Sequence, residues 1–174
     1  MAIQHLSHIG LCVADLAESL RFYTQGLGFR ERHRLEVAGE HAERLLEIPG
    51  LDLEAVYLER DGVCVELLYY RAPGHVDDNT HLSNAGLSNT DRSNADRSSA
   101  ARPMNALGLT HLSLVTDDLD RDLGRLQAIG GRVLDRTRID NPAYNSSVVF
   151  VLDPDGTRIE LVERPGDPRK LPGT

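Results

Sequence analysis

Apolar residues alternate with polar or small ones along 6–13 and again along 109–116, the period of a strand with one buried face. After the first stretch, Asp15 stands where a helix N-cap belongs, and Glu18, three residues on, completes a capping box. Leu16, Leu20, Tyr23 and Leu27 then recur at helical spacing, and Gly26 and Gly28 mark a stop. After the second stretch Asp118 starts a helix whose stripe is Leu119, Leu123 and Leu126, ended by Gly130-Gly131. Three further strands are expected in each half. The last two of each are joined by the reversals RDG (60–62) and DPDG (153–156). The pattern is strand, helix and three strands, written twice.

The letters repeat with the pattern. LSHIGLCVADLAESL (6–20) aligns with LTHLSLVTDDLDRDL (109–123), placing His8 on His111, and DGVCVELL (61–68) aligns with DGTRIELV (155–162), placing Glu66 on Glu160. Two spaced matches in one order indicate an internal duplication. A strand sends alternate residues to opposite faces. Ile9, Leu11 and Val13 therefore oppose His8, Gly10 and Cys12, and Val65 and Leu67 oppose Cys64 and Glu66. In the second half Leu112 and Leu114 oppose His111 and Ser113, and Ile159 and Leu161 oppose Arg158 and Glu160. If the polar faces curve into a cavity, two imidazoles and two carboxylates converge there. Two neutral histidines and two carboxylates suit a divalent first-row ion, with little preference among Zn, Ni, Co, Mn and Fe. Taken singly, each is more often a solvated side chain on the wet face of a sheet than a ligand.

Composition narrows the classes of function. The 174 residues are 40% apolar and 26% charged, which suits one domain or two half-domains sharing a core. A formal charge of −8 gives no counterion-release advantage on DNA or RNA, so nucleic acid is not an expected partner. No apolar run approaches a membrane span, no signal-peptide pattern opens the chain, and two cysteines cannot build a disulfide scaffold. A cytoplasmic, reduced protein is the expectation. Residues 71–106, rich in Ser, Asn, Asp and Arg without a period, read as a linker, partly disordered. The modules are thus 1–70 and 107–164, within one domain overall, and 165–174 form an irregular tail.

HIGLCVADL with FYTQGLGF, VELLYY, THLSLVTDDL and DPDGTRIELVE together resemble the vicinal oxygen chelate superfamily. That superfamily includes glyoxalase I, methylmalonyl-CoA epimerase, extradiol dioxygenases and bleomycin-resistance proteins. The resemblance implies an α+β fold of two βαβββ modules whose curved mixed sheets surround a metal-centred cavity. It places His8, Glu66, His111 and Glu160 on the family's four metal-ligand positions. Glutamate at 66 is similar to the glyoxalase and epimerase branch; the one-metal dioxygenases lack a ligand there. Cys12 stands where bacterial glyoxalase I typically has an arginine that helps hold glutathione, a departure that weighs against glutathione as cosubstrate.

The expected chemistry is metal-assisted proton transfer next to the carbonyl of a small substrate, by an isomerase or lyase, with Glu160 or Glu66 as base. The alternatives are a ring-cleaving dioxygenase using iron and a metal-free protein that sequesters a drug-like molecule. Cys12, Cys64, Tyr70, Ser113 and Arg158 are expected to line the substrate pocket, Arg158 as a possible partner for an anionic group. Cys12 is roughly 13 Å along its strand from His8, too far to share an ion. Related proteins often dimerise, so a homodimer is expected, with the site within one chain or across two.

Overall fold

The first strand, β1 (Ile9–Cys12), pairs parallel with the last strand of its half, β4 (Val63–Ala72), and a chain reversal cannot join two parallel neighbours. The connection is a helix, α1 (Leu16–Arg21), followed by β2 (Arg30–Ala38), a short helix α2 (Glu40–Leu46) and β3 (Asp52–Arg60). The computed structural model describes residues 4–76, 104–105, 107–143 and 145–170. The chain forms two compact units, Met1–Asp77 and Asp78–Thr174. Most of the expected linker, and the last four residues of the expected tail, lie outside the described residues.

The N-terminal unit is an open mixed sheet in the order β1-β4-β3-β2. The C-terminal unit repeats the plan with β5 (Leu112–Thr116), α3 (Leu119–Ala128), β6 (Arg132–Val133), β7 (Ile139–Asn141), β8 (Ser146–Leu152) and β9 (Arg158–Glu163). Its sheet runs β5-β9-β8-β6, with β7 also on β8. Both sheets are curved and neither closes, so the architecture is α+β, with two βαβββ units, the edge strand of the second broken into β6 and β7, both paired with β8. No helix of the described residues is long and apolar enough to cross a membrane.

The apolar faces form the cores. Val65, Leu67, Val56 and Leu58 are buried under the helical segment that carries Phe22 and Tyr23. Ile159, Leu161, Val149 and Val151 are buried with Leu119, Leu123 and Leu126 of α3. Both N-caps form: Asp15 Oδ1 accepts from the Glu18 N–H at 2.9 Å, and Asp118 Oδ1 from the Arg121 N–H at 3.0 Å. The RDG reversal places Asp61 at φ 54° and Gly62 at φ 81°, the paired left-handed residues of a tight hairpin.

Three local expectations are corrected. The first strands begin later than their alternation suggests: Leu6 and Leu109 are exposed, and pairing starts at Ile9 with Val65 and at Leu112 with Ile159. Alternation continues past the point where a partner strand exists. Second, the helix expected through Leu27 ends at Arg21 and continues as a π turn over Phe22–Gly26. Thr24 Oγ1 donates to the Leu20 carbonyl at 2.6 Å, and Leu27 N–H reaches back five residues to Phe22. The wider turn admits an extra residue, so adjacent Phe22 and Tyr23 both face the core while Leu16 and Leu20 are half-buried. Third, α2 has no buried residue and hence no apolar stripe by which to read it.

Beyond the helix-covered area, the same face of the N-terminal sheet carries charges. Arg34 binds Glu31 and Glu54, and Arg71 binds Asp52 and Glu36. Hydrogen bonds from Arg71 hold the carboxyls of Asp52 and Glu36 below their usual range. The stability these two add is present above their ordinary pKa values and fades as pH falls through the lowered ones. In an Arg71→Gln variant, a carboxyl NMR titration should return both groups to the ordinary range. Leu67→Ala, at a fully buried site, should cost about 2–5 kcal/mol in chemical denaturation, whereas Leu45→Ala, on exposed α2, should change stability by less than about 0.5 kcal/mol.

Candidate metal centre

Parallel pairing sets Gly10 opposite Glu66, and β3 sets Tyr57 opposite Glu66 from the other side. His8, two residues before Gly10, lies one residue ahead of β1 and still meets the carboxylate: its Nε2 is 3.1 Å from Glu66 Oε2. The side chains are 35% and 12% exposed, so the imidazole lies at the rim and the carboxylate beneath it. The preceding Ser7 hydroxyl is 2.9 Å from His8 Nδ1. That bond fixes the ring and leaves Nε2 directed at the glutamate. Tyr57 packs edge-on to the His8 ring, with centroids 5.3 Å apart. Its hydroxyl hydrogen-bonds Glu66, which, together with burial, pushes the phenol up to about 12. Gly10 leaves room on the opposite side, since a β-carbon there would stand 3.3 Å from Leu68 Cδ1 and 3.9 Å from Glu66 Oε2.

The C-terminal unit repeats the arrangement with one exchange. Ser113 lies opposite Glu160 where Gly10 lies opposite Glu66, and Phe150 takes the place of Tyr57. Phe150 packs edge-on to His111, centroids 5.5 Å apart, and Thr110 Oγ1 is 2.9 Å from His111 Nδ1. Phenylalanine has no hydroxyl, and here Ser113 Oγ donates to Glu160 Oε2 at 2.6 Å. His111 Nε2 is 3.8 Å from the same oxygen, beyond hydrogen-bond distance.

The structure thus joins His8 with Glu66, and His111 with Glu160 and Ser113. Cys64 and Tyr70 lie on the Glu66 face as expected. Burial first, and then the Glu66 charge, pushes the Cys64 thiol up; burial first, and then Cys12, pushes the Tyr70 phenol up. Cys12 is exposed. Arg158 lies over the Phe150 ring, 5.5 Å from its centroid. Among the described residues no group of three or more His, Cys, Asp or Glu stands ready to hold a metal ion. Each pair sets an imidazole nitrogen beside a carboxylate oxygen, donor types that suit a divalent first-row ion.

The sequence reading passed over Ser7, Thr110 and Tyr57. A hydroxyl residue before each histidine, in LSH and LTH, was a visible signal for the first two. Tyr57 needed the register of β3 against β4, which alternation alone does not supply.

In comparisons with known proteins, the family model described as Glyoxalase/Bleomycin resistance protein/Dioxygenase superfamily matches residues 5–161. No curated protein matches the sequence. Among solved structures, a glyoxalase family protein from Bacillus cereus is similar with a TM-score of 0.72 at 18% identity, covering 95% of this chain and 97% of that one. The trypanothione-dependent glyoxalase I of Leishmania major is similar with a TM-score of 0.55 at 18% identity, covering 92% and 87%. Glyoxalase I from Zea mays gives 0.56 at 18% identity, covering 92% of this chain and 45% of that one. At such identities the structures attest the fold, and the family model, spanning most of the sequence, attests descent: the chain belongs to the Glyoxalase/Bleomycin resistance protein/Dioxygenase superfamily.

Proposed function

We propose that this protein is a metal-dependent enzyme of the glyoxalase type, an isomerase or lyase that moves a proton next to the carbonyl of a small substrate. The observation that carries this reading is the duplicated His–Glu pair, each imidazole tied through Nδ1 to the hydroxyl residue before it. His8, Glu66, His111 and Glu160 would hold the ion, one of Zn, Ni, Co, Mn or Fe, within one chain or across a homodimer. Two carboxylates and two neutral imidazoles sum to −2, which a divalent ion neutralises. When bound, the ion supplies a Lewis acid that stabilises negative charge developing on a substrate oxygen.

The protein's own groups do the rest. Ser7 and Thr110 orient the imidazoles. Tyr57 and Ser113 each give one hydrogen bond to a glutamate, holding it in a defined rotamer. Glu66 or Glu160 accepts the proton from the carbon beside the carbonyl and returns it to the neighbouring atom. The glyoxalase I enzymes among the similar structures support this class of reaction.

Elemental analysis of full-length protein purified without chelator should show stoichiometric divalent metal; absence of metal, with no binding on addition of Zn, Ni, Co, Mn or Fe, would overturn the reading. Ser7→Ala and Thr110→Ala should each weaken metal affinity about 10–100-fold, read by competition with a chromophoric chelator. Glu→Gln at whichever of positions 66 and 160 supplies the base should slow substrate-proton exchange into D2O by about 10²–10⁴-fold.

A further inference from the structure

The duplication supplies an internal comparison beyond the metal pair. In the N-terminal unit Arg30, Glu59 and Cys64 lie side by side across β2, β3 and β4. The corresponding positions of the C-terminal unit are Arg132, Leu152 and Arg158, across β6, β8 and β9. The first set is neutralised: Glu59 accepts from the Gly62 N–H at 3.0 Å and from Arg32 at 2.6 Å, bonds that hold its carboxyl low, and the charge of Arg30 adds to them. In the second set the glutamate is replaced by buried Leu152 and the cysteine by an arginine. Two half-buried guanidinium side chains therefore flank one apolar residue, their backbones roughly 10 Å apart by strand spacing.

A third guanidinium comes from the turn after β6. Arg136 lies in a 3₁₀ turn over Asp135–Thr137 that is pinned to β8, where Thr137 Oγ1 donates to the Leu134 carbonyl at 2.7 Å and accepts from Phe150 N–H at 3.0 Å. Among the described residues neither Arg132 nor Arg136 forms an ion pair with a carboxylate. Burial, and then the charge of Arg136, lower the pKa of both Arg132 and Arg158. In a chain of net charge −8, the like charges of Arg132 and Arg136, set together without a carboxylate among the described residues, cost free energy unless an anion joins them.

We infer that Arg132, Arg136 and Arg158 form a binding site for an oxyanion, a carboxylate or a phosphate, carried by a small molecule. The site adjoins the proposed centre. Phe150 touches His111 at one side and the Arg158 guanidinium at another, and Arg158 lies two residues from Glu160 on the same strand face. Accepting the proposed function, the molecule is its substrate, whose anionic group meets Arg158, about 7 Å along the strand from Glu160. Planar guanidinium forks match the oxygens of either anion.

The test uses full-length protein stripped of metal and dialysed free of chelator. It is titrated with inorganic phosphate and, separately, with acetate at low salt, while arginine Nε–Hε NMR signals are followed. Saturable shifts of the Arg132 and Arg158 signals are expected. Arg132→Gln and Arg158→Gln should each weaken binding about tenfold or more, as should Arg158→Cys, which installs the N-terminal unit's residue. Arg121→Gln, on the exposed face of α3, should bind as the parent does. Saturation by phosphate alone assigns a phosphorylated substrate, and by acetate alone a carboxylate. Non-saturating shifts with both anions, or unaltered affinity in the folded Arg132→Gln and Arg158→Gln variants, would overturn the site. Because no metal is present, failure here leaves the metal-content measurement untouched, and failure there leaves this one.

Discussion

Parallel pairing of the first and last strand is the constraint on which each unit rests. It requires a helical crossover, which covers one face of the sheet, and it fixes the register that sets Gly10 beside Glu66 and Ser113 beside Glu160. A one-residue slip would turn the glutamates into the apolar core and the valine or isoleucine beside them toward solvent. The packing of Val65, Leu67, Ile159 and Leu161 against the helices therefore also holds the carboxylates on the opposite face. Core and site are two sides of the same strands.

Within that frame the copies have diverged at neighbouring positions. Both retain an imidazole beside a carboxylate and an aromatic ring edge-on to the imidazole. The N-terminal copy pairs Arg32 with Glu59, Arg34 with Glu54 and Arg71 with Asp52. The C-terminal copy concentrates positive charge near Leu152 and Phe150. The Glu66 face of one unit thus carries Cys64, Leu68 and Tyr70, and the Glu160 face of the other carries Arg158.

The repeat and the strand faces were legible in the sequence, because they follow from period-two alternation applied to two copies of one motif. Positions 66 and 160 could be assigned to faces from Val65-Glu66-Leu67 and Ile159-Glu160-Leu161 alone. The π turn was not legible: Thr24 diverts the helix through a hydroxyl-to-carbonyl bond that has no counterpart in a pattern of apolar spacing. Tyr57 and Phe150 were passed over because their importance comes from cross-strand register, a relation between residues distant in sequence. Arg158 was picked out by phase with Glu160. Arg132 and Arg136 escaped because one lies on a two-residue strand and the other in a three-residue turn, and neither leaves a periodic trace.

The hydroxyl groups reach the two glutamates from different strands, Tyr57 from the antiparallel neighbour and Ser113 from the parallel one. A serine hydroxyl is a free rotor that can turn its hydrogen away and accept instead, so Glu160 has a companion able to follow a change in its own protonation at almost no steric cost. The phenol of Tyr57 is a fixed arm, its ring braced edgewise by His8, and it can reverse its hydrogen-bonding sense only within the plane of that ring. The two carboxylates, equal in the repeat, are therefore unequal in compliance: one is cushioned and the other clamped.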